Sequence, residues 1–447
     1  MPLPPPAPDP APCPADRHAL IIGGGASGVL AAAHILRADD RARVTIFDPN
    51  PRLAEGIAYG TRHPGHLLNV PAGGMSAFAD RPAHFTEWLH AAHPEGGWTD
   101  RSFAPRMIYA DYLRGLIAPF AGTGRLHHVT AAVTCMEDSA EGVWLTTEGG
   151  VRHHGDEAIL AIGNQAPPPA TEPWMTTFWD SFGTLNVPPD APVAILGTGL
   201  SMVDSVISLL DAGHRGRIAA FSRRGLLPRG RRVHAPPPVA TPLPDRITLR
   251  GLIRVLRANA RATGDWRGVV DGIRPMTQDI WQSLSAPDKE RFLRHARPWW
   301  DVHRHRMAPE IDGRIQAAIA RGQLIVQAAR VRVQDQNGHP VLTYRLRGRS
   351  ETLTFRPAHV IDCRGSAGFD GSRNAFLAQL LASGRAVQDL RGLGLKVSAA
   401  SELMSADGAT SPRVRVIGPA TIGAFWETVA VPDIRMQAAG LAQPVSA

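Results

Sequence analysis

The chain has 447 residues, 44% of them hydrophobic, and a formal net charge of +8. This length predicts two or three domains, and the composition is that of a globular protein with an ordinary core. The basic residues are scattered rather than gathered into one run and no nucleic-acid motif accompanies them, which excludes nucleic acid as a partner and favours anionic small molecules, cofactor phosphates above all.

Residues 1–17 are rich in proline and alanine and read as a disordered tail. They have no basic segment followed by an apolar one, so they are not a signal peptide. With no apolar run near the length of a membrane span, the expected location is the cytoplasm. Ala19–Ile22 is a short apolar run fit for a buried parallel strand. Gly23-Gly24-Gly25-Ala26-Ser27-Gly28 follows, then an alanine-rich helix over residues 29–36, and a second strand, Val44–Phe47, ending in Asp48. Each part has a physical reason. Gly23 permits a tight turn, Gly25 lets backbone approach a pyrophosphate, and Gly28 lets helix and strand pack closely. The helix N-terminus at Ala26 and Ser27 presents free N–H groups to phosphate. Asp48, twenty residues past Gly28, stands where a carboxylate accepts hydrogen bonds from ribose hydroxyls.

Residues 56–60 and 66–75 are rich in glycine and turns. Their apolar Leu67, Leu68 and Val70 imply partial burial, and the segment, Asn69 included, is expected against a cofactor ring rather than on the open surface. Residues 82–90 and 108–120 show helical apolar spacing. Residues 125–154 read as an antiparallel meander containing strands at 129–133 and 143–147. Ala158–Ile162 is another buried strand, ending at Gly163. A proline-rich hinge is predicted near 165–190.

A second fingerprint begins at Val193–Leu196, turns through Gly197-Thr198-Gly199-Leu200-Ser201-Met202 and enters a helix over residues 203–210. Met202 stands where a small residue is expected, so this helix should lie slightly further from its strand. The next strand, Ile218–Ser222, ends in Arg223 and Arg224 rather than an acid, which suits a 2′-phosphate and hence NADPH, with NADH left possible; the alternative is a pair of solvated surface arginines. Residues 228–245 form a long loop, a candidate lid. Residues 247–322 read as mostly helical. They contain Trp299–Arg306, a run that includes His303, His305 and Arg306 and suits either an anion site or a structural hydrogen-bond cluster. Two histidines at i, i+2 are poor zinc geometry and no third ligand is evident, so no metal is expected. Strands return at 324–326, 341–346 and 353–355. Residues 359–365 again run from strand to glycine, and Val414–Val416 enters a turn at Gly418-Pro419. Phe425 and Glu427 precede a last helix over 433–440.

Cys13, Cys135 and Cys363 are far apart, and residues 49–75 contain no cysteine, so disulfide-reductase chemistry is excluded. Trp179 to Leu185 lacks the histidine of a Baeyer–Villiger signature.

Taken with both fingerprints, the strand-to-glycine crossings at Gly163 and Gly365 and the terminal Gly418-Pro419, the sequence resembles two-dinucleotide-binding flavoproteins. It is most similar to the NAD(P)/FAD-binding family typified by the bacterial YdhS protein, through residues 23–28, 56–60, 66–71, 197–204, 222–228, 299–306 and 425–435. More distantly it resembles flavin-dependent N-hydroxylating monooxygenases. The resemblance implies an α/β fold with FAD in the first unit and NAD(P)H in the second. The FAD domain would be split over residues 18–190 and 350–447, around an inserted NAD(P)H domain at 191–349 that carries a helical insertion at 247–322. It puts Gly418-Pro419 near the ribityl chain and the N-terminus of the last helix near the flavin pyrimidine. Three classes stay open: a single-component monooxygenase acting on a nitrogen or sulfur centre of a small molecule, a flavin reductase or dehydrogenase without oxygen insertion, and a non-catalytic binding protein. The monooxygenase is preferred. His303, His305, Arg306 and Glu427 are the catalytic candidates, and Glu427 could instead only anchor the last loop.

Overall fold

The computed structural model describes residues 17–178, 187–234, 236–365, 368–369, 371–389 and 391–443. The tail before Arg17 and the stretch from Trp179 to Leu185 lie outside these. The fold is mixed α/β, with two mainly parallel sheets of Rossmann type.

The first sheet has the order β15-β16-β7-β1-β2-β3. Its strands are β1 (His18–Ile22), β2 (Arg43–Phe47), β3 (Leu126–Val129), β7 (Glu157–Leu160), β15 (Glu402–Met404) and β16 (Thr410–Val416). All pair in parallel except β15 with β16. The inner strands β1, β2 and β7 are largely apolar because both faces are covered. On one face lie α1 (Ala26–Ala38), α2 (His84–Ala92) and α3 (Arg106–Ile117), together with the last helix of the chain. On the other lies a three-stranded antiparallel sheet of β4 (Val133–Ser139), β5 (Gly142–Thr147) and β6 (Arg152–Gly155).

The second sheet has the order β13-β12-β11-β10-β9-β14-β8. It is built from β8 (Met175–Thr177), β9 (Val193–Leu196), β10 (Ile218–Ser222), β11 (Leu324–Gln336), β12 (His339–Leu346), β13 (Leu353–Phe355) and β14 (His359–Asp362). Between β9 and β10 runs α4 (Leu200–Asp211). Between β10 and β11 stands the helical insertion, with α5 (Leu249–Thr263), α6 (Trp266–Gly272), α7 (Thr277–Ser283), α8 (Ala286–Arg291), α9 (Arg297–Arg304) and α10 (Pro309–Ala320). Last come α11 (Ala375–Ala382) and α12 (Val431–Gly440), the latter packed on α1.

Several expectations are corrected. Arg17 is not part of a loose tail: it is buried, and its Nε donates to Glu157 Oε1 at 2.6 Å. β3 is not in the meander but is the parallel edge of the first sheet, beside β2. β14 and β8, placed by chain order with the first unit, pair with each other and with β9, so they extend the second sheet. β14 joins there because it supplies the carbonyl edge against which the second glycine turn closes. Met202 is fully buried in the core between β9 and α4, so its bulk is absorbed by packing.

Candidate functional site

The two glycine turns occupy equivalent places. β1 lies between β2 and β7, and β9 lies between β10 and β14, so both turns leave a strand where the chain's path reverses. That is the crevice where open α/β sheets hold ligands. At the first turn, Gly23 N–H donates to Phe47 O at 2.9 Å and Ala161 N–H to Ile22 O at 2.9 Å. At the second, Gly197 N–H donates to Phe221 O at 2.8 Å and Cys363 N–H to Leu196 O at 2.7 Å. Gly23 and Gly197 have φ of 105° and 108°. A Cβ on either would stand 2.4 Å from a carbonyl oxygen, of Ala161 in one case and Cys363 in the other. Both turns therefore require glycine, for conformation and for space.

Gly25 is the N-cap of α1 and Gly199 that of α4, and neither helix has an acid in its first turn or a side-chain cap. The first N–H groups of both helices, at Ala26 and Ser27 and at Leu200 and Ser201, are left for an anion. Gly28 packs its Cα so closely that a Cβ would lie 1.9 Å from Gly23 O. Asp48 Oδ2 accepts from Gly24 N–H at 2.6 Å and Oδ1 from Asn50 N–H at 2.8 Å. Each oxygen keeps capacity for a further hydrogen bond. Gly418, with φ of 77°, sits against Ser27, where a Cβ would fall 2.3 Å from Ser27 Oγ. Its N–H donates to Gln437 Oε1 at 2.9 Å, so α12 holds the Gly418-Pro419 turn onto the start of α1. Gly163, beyond the end of β7, has a φ of 60°, and a Cβ there would meet nothing within 4 Å. This empty margin beside a glycine cradle fits a dinucleotide. Phe425 stands apart, lining a cavity with Asp433 and Gln437.

The strand after α4, β10, ends at a cluster of positive charge. Arg223 and Arg224 line a cavity of about 450 Å³ that Arg294, Arg330, Arg345 and Arg347 also line. The last three come from the β11–β12 hairpin and the turn after it. Sequence reading found the first two arginines; the hairpin's contribution depends on pairing across β11 and β12, which no local pattern signals.

The catalytic candidates fall into two groups. Glu427 is 4% exposed and has a φ of 77°, a left-handed backbone uncommon outside glycine. Its Oε1 accepts from Trp300 Nε1 at 2.7 Å, and its Oε2 lies 2.8 Å from Arg304 Nε. His305 Nε2 stands 3.7 Å from Oε1. Burial alone would raise the Glu427 carboxyl, but Arg304, His305 and the Trp300 indole together hold it below the usual range. Burial pushes His305 down to about 4, so the imidazole is neutral at pH 7. Arg306, 3% exposed, turns away to Asp271. His303 is separate: its ring meets Trp266 edge-on and Nδ1 lies 2.7 Å from Trp299 O. Buried Arg304 and the half-buried Arg231, Arg274 and Asp433, not singled out in the sequence, belong to the same charged set. Burial, then Arg306, push Arg231 down to about 9, so it stays charged at neutral pH. Arg231 Nε also donates to Asn69 O at 2.8 Å, and its backbone pairs with Met307. The candidate lid loop is thereby pinned between the first unit and the helical insertion. Asp433 lies in the first turn of α12, and a charge there would offset the positive helix end.

Cys363 is buried with Ser205 Oγ 3.5 Å from its sulfur, and burial pushes the thiol up to about 12, far from the range of a nucleophilic thiol. No described helix is long and apolar enough to cross a membrane.

A family model described as FAD-NAD(P)-binding matches residues 20–165. No curated protein matches the chain by sequence. Among solved structures, the chain is similar to L-lysine 6-monooxygenase from Pseudomonas syringae, at a TM-score of 0.67 and 14% identity, covering 95% of this chain and 97% of that one. It is similar to the ornithine N-hydroxylase of Kutzneria sp. 744, at 0.65 and 15%, with 95% and 97% covered. It is also similar to thioredoxin reductase from T. acidophilum, at 0.54 and 11%, with 95% and 97% covered. At these identities the likeness establishes the fold.

Proposed function

We propose that this chain is an FAD-dependent NAD(P)H oxidoreductase, of the single-component monooxygenase kind, acting on a nitrogen or sulfur centre of a small molecule. The observation that carries it is the pair of equivalent glycine turns at two sheet switch points, one followed by Asp48 and the other by Arg223 and Arg224. FAD would be held by Gly23–Gly28, Asp48, Gly163 and Gly418-Pro419. NADPH would be held by Gly197, Gly199 and the start of α4, with its 2′-phosphate toward the arginine-lined cavity. When bound, the flavin supplies hydride acceptance and passes electrons on to oxygen or substrate.

The chain's own residues bind, orient and exclude water. α1 and α4 offer their N–H groups to phosphates. Gln437 fixes the Gly418 turn. Arg231 and Trp300 bring the helical insertion against Asn69 and Glu427, closing the space between the units. A thiol route has no support, because Cys135 is only partly buried in the antiparallel sheet and Cys363 is held protonated in the other unit. The motif stretches and the likeness to the lysine monooxygenase and the ornithine N-hydroxylase support the monooxygenase reading, and those stretches also favour kinship with the family typified by YdhS.

The test is the visible spectrum of the purified protein, followed by anaerobic titration with NADPH and NADH. A yellow protein that bleaches with NADPH is expected. A colourless preparation that takes up no added FAD overturns the reading. Oxygen uptake without peroxide release, once a substrate is supplied, separates a monooxygenase from a reductase.

A further inference from the structure

The helical insertion contains a cavity of about 720 Å³, opening between α5, α6, α7 and α9 and the loop before α12. Its wall includes Leu252, Val269, Ile280 and five of the chain's ten tryptophans. Its volume and apolar, aromatic wall are those of a small-molecule site.

Two features define the occupant. First, among the described residues no aspartate or glutamate lines the cavity, and its arginines are Arg257 and Arg291. Second, an adjoining cavity shares both arginines with it and adds Arg250, Arg254 and Arg261. Four of these five arginines recur at spacings of four, three and four along α5, so they form one stripe on that helix. The single acid there, Asp288, is engaged: Oδ1 takes Arg291 at 3.1 Å and Oδ2 accepts from Leu249 N–H at 3.2 Å. An apolar pocket thus leads to a row of guanidinium groups.

The pocket also shares a wall with the first unit. Trp281 Nε1 donates to Gly423 O at 2.9 Å, and its ring stacks on Trp426 with centroids 4.7 Å apart. Trp300 binds Glu427. These residues belong to the loop that begins at Gly418, against Ser27.

We propose that this pocket is the substrate site and that it takes an apolar, preferably aromatic, molecule with an anionic end, the ring among the tryptophans and the anion toward the α5 arginines. This deepens the proposed function and rests on it for the word substrate, though the binding itself does not. A free diamino acid such as lysine or ornithine, named for two structural neighbours, would bring ammonium groups to five guanidinium groups and one carboxylate, Asp288, that Arg291 and Leu249 N–H already engage.

Calorimetry on the purified full chain tests this with three probes sharing one ring system: 2-naphthoate, 2-naphthylmethanol and 2-naphthylmethylammonium. Naphthoate should bind one site per chain, about tenfold tighter than the ammonium probe, which corresponds to ~1.4 kcal/mol, and L-ornithine should give no saturable heat. Leu256→Glu, which puts a carboxylate in the wall, should reverse the order. The exposed pair Arg257→Ala and Arg291→Ala should weaken naphthoate about threefold to tenfold with the alcohol unchanged, within the range of rim charges; this arm stands if Leu256→Glu fails to fold. Equal affinity for all three probes, naphthoate binding indifferent to the arginine pair, or binding only to vesicles of anionic phospholipid would overturn the proposal. Naphthoate binding to a protein that holds no flavin would instead sink the oxidoreductase reading and leave the pocket standing.

Discussion

Two glycines in the first unit do different work, and substitution separates them. A Cβ at Gly28 would lie 1.9 Å from Gly23 O, backbone that cannot yield without moving α1 off β1. Gly28→Ala should therefore lose bound flavin and fold poorly. At Gly163 the missing Cβ faces open space, and only the φ of 60° opposes a side chain. Gly163→Ala should keep the fold at a cost of roughly 1–2 kcal/mol, that of a left-handed residue, read as a modest drop in thermal midpoint. Equal loss for both would mean that close packing at Gly28 is not what its glycine serves. The arginines after β10 argue at the same scale. Arg223→Ala with Arg224→Ala should raise the dissociation constant for NADPH by about tenfold or more, as loss of a charge-assisted phosphate contact implies. NADH should change little. Because Arg330, Arg345 and Arg347 line the same cavity, some preference for NADPH should survive the double substitution. Equal weakening of both nucleotides in anaerobic titration would remove the phosphate role.

Elements are tied together by buried charge as well as by apolar packing. Glu157 on β7 is 2% exposed, and its two oxygens receive Arg17 Nε at 2.6 Å and Arg415 Nη2 at 2.5 Å. Arg17 also donates to Leu441 O at 2.8 Å. One carboxylate thus fastens the chain's entry into β1, the neighbouring strand β16 and the residues after α12. Glu157→Gln would leave two guanidinium groups buried without a counter-charge, and should cost about 3–5 kcal/mol in urea unfolding. A loss below ~1 kcal/mol would mean that water reaches the arginines. Much of this element plan was legible beforehand. The glycine turns were, because sterics force glycine there and the apolar strands flank them. β3 was not: Leu126-His127-His128-Val129 has little apolar character and sits beside real antiparallel strands. β8 is three residues long within proline-rich sequence. β14 was recognised as a strand but given to the wrong sheet, since a strand's sequence does not say which neighbour it pairs with. Of the candidate site, the glycines of the two turns and Glu427 were legible from local pattern. The Glu427–Arg304 contact, the arginine hairpin and the tryptophan pocket were not, because each joins segments brought together only by the fold.

At the scale of the whole molecule, the contact between the two units holds buried titratable groups. His66 is fully buried, with Nδ1 2.7 Å from Thr61 Oγ1 and Nε2 2.8 Å from Ser208 Oγ on α4. Beside it, Arg106 of α3 pairs with Asp204 of α4 at 2.8 Å. Burial, then Arg106 and His63, push His66 down to about 3. Burial pushes Asp204 up to about 6 despite Arg106. The signs oppose. The unfolded chain binds a proton at His66 below its ordinary value near 6.5 while the folded chain refuses it, so His66 makes stability fall as pH drops through that window. Asp204 takes up a proton in the folded state first, which makes stability rise as pH falls from about 6 toward the ordinary aspartate value. The other seven histidines with shifted values, at 18, 34, 84, 214, 303, 305 and 359, are all shifted downward, and burial is the largest cause for each. They act with His66 and outnumber the three acids that are raised, Asp204, Asp301 and Asp433. Stability should therefore decline as pH is lowered from 7 to 5. His66→Gln, which keeps a hydrogen-bonding group but cannot be charged, should flatten that decline by about one proton, or ~1.4 kcal/mol per pH unit where the histidine term is fully developed. Urea unfolding at a series of pH values measures the slope directly. An unchanged slope in His66→Gln would mean that the imidazole reaches solvent and titrates in the folded protein as it does in the unfolded one, and that the two units part more readily than this buried contact implies.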